Sequence, residues 1–333
     1  MATRSPSPRY SIAEWFGEDI ITMSPDKRKK LGELSIFQAD NSDLSQAPIC
    51  PFLSELIPGS RCNKPSGVCS IRRYQLGDEG SGSPVPGEKV VTVCPSRFLQ
   101  PLTNGETLFS WISKVMLDIS NPTIVKETPF LRTVSDSDSR ESDDVVEGKK
   151  AGRIDWIIVD PASMESLELK WCAVETQALY FSGSKMRLEF EDYLTAPQSV
   201  RYPVGQRRPD YRSSGPKRLS PQLDVKVPVL RNWGKKVVVV IDQFFYANMN
   251  ALVDAYPRAK DDQERRDNSD VVWFVVDYDE NFNMIASKVI FTTLDSSRLA
   301  LSATEPLSKA DFTQGLLDVI DDPGRTNKVF KPV

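Results

Sequence analysis

Between Gly152 and Gly183, two apolar runs each carry a carboxylate at a position where a sheet buries its side chains. Ile154, Ile157, Ile158 and Val159 surround Asp155. Trp171, Ala173 and Val174 lead into Glu175-Thr176-Gln177, with Ala178, Leu179 and Tyr180 beyond. The runs read as two strands joined by a polar turn. An unpaired carboxylate costs several kcal/mol to bury, on the order of what a whole domain can spare. Two of them at neighbouring strand positions therefore point to a metal site.

On a strand, Glu175 and Gln177 are two apart and share a face. If the strands are neighbours, Asp155 and Glu175 can share one hard cation. Magnesium fits, since it takes one or two protein carboxylates and completes its shell with waters and phosphate oxygens. A second reading competes, because Glu168-Leu169-Lys170 is also an acid–x–lysine triplet. Parity separates the two: an unbroken strand sends 168 and 175 to opposite faces. Glu168 would also lie at the strand's polar entrance, where an exposed salt bridge explains it. The expected site is Asp155, Glu175 and Gln177, with Glu168 and Lys170 as bystanders.

The chain has no histidine. Ser-His-Asp and Cys-His catalysis, HNH nucleases, HExxH zinc hydrolases and zinc deaminases are thereby excluded. Acid–base chemistry falls to carboxylates, Lys, Tyr or a cation. The net charge is −4, so affinity for nucleic acid must be local. Residues 201–236 supply it, with ten Lys or Arg against two Asp and with Tyr202, Tyr211 and Trp233 interleaved. Such a run can be a plain solvated surface. Beside a metal-site candidate in an acidic protein, it reads as a phosphate-contacting segment.

Cys50, Cys62, Cys69 and Cys94 lie in a segment rich in Gly, Pro and Ser with little periodicity. No apolar run approaches the ~18 residues of a membrane span, and the N-terminus lacks a signal-peptide core, which places the chain in the cytoplasm. Thiols there stay reduced. Four thiolates could hold a tetrahedral zinc or iron. The alternative is four unconnected buried cysteines.

Along the chain, Ser11 and Glu14 fit a capping box opening a short helix through Trp15 and Phe16. Helices are expected at 107–119, 186–194, 242–256 and 309–320. Strands are expected at 129–134, 236–241, 271–278 and 286–294, the last two paired through Asp279-Glu280-Asn281. The acidic run 134–148 reads as a solvated loop, and the chain after Pro323 as loose.

With these residues in place, the chain resembles the NotI-type restriction endonucleases. The resemblance rests on Ser11 to Gly17, Cys50-Pro51-Phe52-Leu53, Cys62, Gly67-Val68-Cys69 and Val93-Cys94-Pro95-Ser96-Arg97. It continues at Ile154-Asp155-Trp156 and from Val174-Glu175-Thr176-Gln177 to Phe181-Ser182-Gly183-Ser184. It spans about half the chain and is weak from about residue 260. It implies an α/β (α+β) fold: a PD-(D/E)XK nuclease core with a mixed sheet flanked by helices, plus a small loop-rich four-cysteine metal module. Gln177 stands where other nucleases of that type carry a lysine.

Carried onto this sequence, the resemblance makes Asp155, Glu175 and Gln177 catalytic and Asp155 and Glu175 the magnesium ligands. Cys50, Cys62, Cys69 and Cys94 become ligands of a structural iron, or zinc. It implies a bacterial homodimer cutting a palindromic, GC-rich duplex, paired with a cognate DNA methyltransferase. Arg207, Arg208, Arg212, Lys217 and Arg218 are the candidates for phosphate or base contacts. Glu127 reads as a surface glutamate, with a further ligand role left open. The expected organisation is a disordered tail at 1–10, a cysteine module at 11–100, a nuclease core at 101–300 and a helix with tail at 301–333. Two other readings stay open: a DNA-binding module with an inactive centre, and a repair nuclease without a fixed sequence.

Overall fold

Valine and isoleucine dominate two runs, Val237–Asp242 (β11 below) and Val271–Tyr278 (β12), whose side chains are almost all buried. Strands apolar on both faces belong in the middle of a covered sheet. The computed structural model, which describes residues 6–64, 66–132, 150–182, 186–305, 307–322 and 329, places them there. A six-stranded mixed sheet runs in the order β13-β12-β11-β8-β7-β6. Its other members are β6 (Thr123–Arg132), β7 (Lys150–Val159), β8 (Trp171–Thr176) and β13 (Met284–Thr292). β8, β11 and β12 are mutually parallel, and the outer pairings are antiparallel. The expected mixed α/β architecture is present, with β12 and β13 paired as predicted.

Alternation along the strands assigns the two faces. Trp156, Val174, Val238 and Val272 are in register on one side, which helix α2 (Leu108–Leu117) covers. Its Phe109 and Trp111 rings meet Trp156 and Phe274 at 5.2 and 4.8 Å between centroids. The opposite face carries Glu175, Val239 and Trp273. Helices α5 (Ser220–Asn232) and α8 (Leu294–Ser302) cover it, and the Trp273 indole donates to Ser297 of α8 at 3.1 Å.

A smaller antiparallel sheet is built from β1 (Arg9–Trp15), β2 (Glu18–Asp19), β3 (Val68–Leu76), β4 (Gly82–Pro84) and β5 (Val91–Thr92). It corrects two expectations. Residues 11–16 are not a capped helix, because their polar groups have distant partners. Ser11 donates to Glu189 at 2.6 Å, and Glu14 accepts from Arg97 at 2.8 Å. The segment 40–100 stays largely turn and loop, although β3 contributes nine residues of strand to it. Strand β1 also takes in Arg9 and Tyr10, so the tail expected at 1–10 ends earlier.

Helix α1 (Pro25–Asn41) was not anticipated, although Ser24 accepts from the Lys27 N–H as its N-cap. It packs on α3 (Met186–Thr195). A Cβ on Gly32 would fall 2.9 Å from the Phe190 carbonyl oxygen, so only glycine permits that approach. A two-stranded ribbon pairs β9 (Tyr180–Ser182) with β10 (Arg208–Asp210). The remaining helices are α4 (Tyr211–Ser214), α6 (Gln243–Ala247), α7 (Asp262–Asn268) and α9 (Lys309–Asp321). Helix α6 is far shorter than the expected 242–256. No helix among the described residues is long and apolar enough to cross a membrane. The acidic run 134–148, Gly183 and Ser184 of the resemblance, the first five residues of the tail and nearly all the chain after Pro323 lie outside the described residues.

Candidate active site

Strands β7 and β8 pair with Trp156 opposite Val174 and Ile157 opposite Ala173, a register that carries Glu175 opposite Asp155. Asp155 Oδ2 accepts from the backbone N–H of Thr176 at 3.0 Å and from its hydroxyl at 3.2 Å. Asp155 is thus fixed by the strand that carries Glu175. Glu175 is 2% exposed. Burial pushes its pKa up to about 7, Asp155's charge adds to that, and Lys226 of α5 pulls it back.

Lys226 Nζ lies 2.6 Å from Glu175 Oε1. The approach is bent, so the contact is a close ion pair and Oε1 has no aligned hydrogen-bond donor among the described residues. A buried carboxylate oxygen without a donor, beside a second carboxylate, suits a hard cation. Both acids line a cavity of about 710 Å³, together with Gln177, Tyr180, Arg207 and Arg218. Asp155 also lines an adjoining cavity of about 460 Å³.

Gln177 follows β8 by one residue. Its N–H continues the sheet by donating to the Val240 carbonyl at 2.9 Å, while its side-chain amide donates to the Ala178 carbonyl at 2.6 Å. Glu168 and Lys170 lie ahead of β8, both exposed. They are off the strand altogether, so their parity does not arise. Glu127 is half-exposed and paired with Lys126 at 3.0 Å and Arg153 at 3.2 Å, and Lys126 first of all holds its pKa low.

The basic segment separates into different environments. The Arg207 side chain is 3% exposed, held by Glu189 at 2.8 Å and stacked on Phe181 at 4.0 Å, so it serves the interior. Arg208 lies on β10 and is exposed. Arg212 and Lys217 also stand in solvent. Arg218 lies over the Tyr180 ring at 3.6 Å, hydrogen-bonded to the phenol, at the cavity. Lys217 and Arg218 ride a π-helical turn, Gly215–Leu219, an irregularity frequent at functional sites. Lys226 was missed. Its signal was a lysine within the apolar spacing Leu223, Val227, Leu230.

The four candidate cysteines are buried and arrive in two pairs. Cys50 and Cys62 lie on the two arms of one short hairpin, Cys50 N–H donating to the Ser60 carbonyl at 2.8 Å and Cys62 N–H to the Pro48 carbonyl at 2.9 Å. Cys69 of β3 accepts from the Val93 N–H at 3.0 Å, which brings Cys94 beside it. The thiols feel one another. Burial first, then Cys94, raises the pKa of Cys62 to about 11, and both causes also push Cys50 and Cys69 up. The Leu53 N–H donates to Cys50 Sγ at 3.4 Å. As the side chains stand, no group of three or more Cys, Asp or Glu among the described residues is placed to hold an ion. The donor chemistry fits a thiolate site, whereas the observed placement is not closed around one. Cys172 lies apart in β8, buried.

A family model described as restriction endonuclease NotI matches residues 35–289. The match includes Asp155, Glu175, Gln177, all four clustered cysteines and the basic segment. It reaches well past residue 260, where the resemblance was weak, and leaves out β1 and α9. No curated protein matches the chain.

Proposed function

The chain belongs to the NotI restriction endonuclease family, and on that premise we propose that it makes magnesium-dependent double-strand cuts at a specific palindromic, GC-rich DNA site. The observation carrying this reading is the facing of Asp155 and Glu175, with an undonated Glu175 oxygen, on the wall of a cavity that Arg218 also lines. Asp155 and Glu175 would hold the cation, which when bound lowers the pKa of a coordinated water and offsets charge on the scissile phosphate. The chain's own residues do the rest. Thr176 fixes Asp155 through two hydrogen bonds, so the acids converge without reorganising. Gln177 can position a water but adds no charge.

Arg208, Arg212, Lys217 and Arg218 are the proposed DNA contacts, and Arg207 supports them from the interior through Phe181 of β9. They fall within one chain segment, of which Arg218 lines the cavity, and this supports the reading. A homodimer matching the two-fold symmetry of a palindrome is the economical assembly. We further propose that Cys50, Cys62, Cys69 and Cys94 bind a structural iron or zinc, supported by four buried, mutually coupled thiols. A cognate methyltransferase would protect host DNA. Incubation with unmethylated duplex DNA, with and without magnesium, tests the proposal. Discrete fragments are expected only with magnesium. DNA retarded in a gel but left intact would instead identify a binding protein with an inactive centre.

A further inference from the structure

Helix α5 carries a lysine where its apolar stripe calls for a hydrocarbon. Leu223, Lys226, Val227 and Leu230 follow the i, i+3, i+4, i+7 spacing of one helix face, and all four are buried. The Lys226 side chain is 7% exposed, with Nζ 2.6 Å from Glu175 Oε1. Its other contact is Gln222 Oε1, 3.3 Å away. Burying an ion pair is a poor way to hold a helix on a sheet, because the desolvation of two charges offsets most of their attraction. Apolar side chains of similar volume would pack α5 as well. The lysine sits instead against Glu175, across the β7–β8 register from Asp155.

Its placement complements a deficit at Gln177. That residue is uncharged, and its amide is engaged with the Ala178 carbonyl. Gln222 lines both cavities that flank Asp155, while Lys226 lines the smaller one and Glu175 the larger. The ammonium therefore stands in the wall between two spaces that DNA could occupy. An ammonium has three donors. One is directed to Gln222, and the close ion pair with Glu175 is not an aligned hydrogen bond, so the ammonium keeps donor capacity for a water or a phosphate oxygen.

We propose that Lys226 is the positively charged positioning residue of this centre, reaching in from α5 to orient the attacking water or the scissile phosphate beside Asp155 and Glu175. This rests on the nuclease reading above. It makes the site's charge a property of a helix and a strand together, so the charge can be moved from one to the other without changing the acids.

The test compares wild type with Lys226→Met, Lys226→Gln and the double variant Lys226→Met/Gln177→Lys. Single-turnover cleavage of duplex DNA is measured with magnesium, DNA affinity with calcium in its place, and folding by circular dichroism. Either folded neutral variant should cleave about 100-fold more slowly or worse, with DNA affinity kept within about threefold. The double variant should regain at least about tenfold over Lys226→Met, since the strand position returns the charge. A purely structural lysine would give no such recovery. The inference is overturned if a folded neutral variant cleaves within about threefold of wild type. It is also overturned if the folded double variant is as slow as Lys226→Met. Wild-type protein that leaves DNA whole would remove the nuclease reading itself, whereas an active wild type with equally active variants removes only the role of Lys226.

Discussion

Glu168 and Glu175 have the same side chain in the same short stretch, and their surroundings give them opposite chemistry. Glu168 faces solvent ahead of β8. Glu175 is buried, and burial above all pushes its pKa up to about 7. The sign of the consequence follows. An unfolded glutamate titrates near 4.5, so the folded state gains relative stability below that pH and loses it as pH rises toward 7. Asp242, raised to about 6 chiefly by burial, acts in the same direction. Metal-free protein should therefore show a falling Tm from pH 5 to pH 8, and Glu175→Gln should flatten part of that fall. Magnesium should raise Tm more at pH 8 than at pH 5, since it binds the ionised form. A Tm that rises with pH in the metal-free protein would count against this placement of Glu175. For cleavage, Glu175→Ala should lose on the order of 10³-fold or more with DNA binding largely kept, while Glu168→Ala stays active. The reverse pattern would move the site to Glu168.

At the scale of elements, Arg97 joins the two sheets. Its guanidinium pairs with Glu14 of β1 at 2.8 Å, donates to the Phe282 carbonyl in the β12–β13 turn at 2.6 Å, and lies between the Phe52 and Tyr278 rings. Arg97→Ala would leave Glu14 buried and unpaired, so a loss of roughly 3–5 kcal/mol is expected in denaturant titration. A loss under about 1 kcal/mol would contradict that role. The same pair explains a misreading. Ser11 and Glu14 carry a helix-start pattern, but Glu189, Ser70 and Arg97 take up their polar groups from far along the chain. Central strands were legible, because β11 and β12 are apolar on both faces along most of their length and need no partner to be recognised. Helix α1 was not, although Ser24 and Pro25 signal its start, because its apolar stripe is weak and it docks through Gly32. Asp155, Glu175 and Gln177 were legible as acids and an amide out of place in strands. Lys226 was hidden among ten basic residues, and only the packing of α5 separates it from a surface charge.

The described residues form a large sheet that carries the candidate site, with a smaller sheet braced against its strand ends. Thr92 of β5 is the brace: its N–H donates to Asp242 at 2.7 Å, its hydroxyl meets the Tyr278 phenol at 2.8 Å, and its carbonyl accepts from Leu179 at 2.9 Å. Cys94 lies two residues on, so the cysteine cluster and the active-site wall share one support. Elemental analysis should therefore find about one iron or zinc per chain, and Cys62→Ser should lower Tm by at least about 5 °C. Metal-free protein with full activity would contradict the cysteine site. The central claim concerns the cut itself, and sequencing the ends of fragments made from unmethylated bacterial DNA with magnesium tests it most directly. Ends falling at a single GC-rich palindrome, and absent with Glu175→Ala, are the expected result. Ends scattered without a common sequence, or uncut DNA, would contradict it.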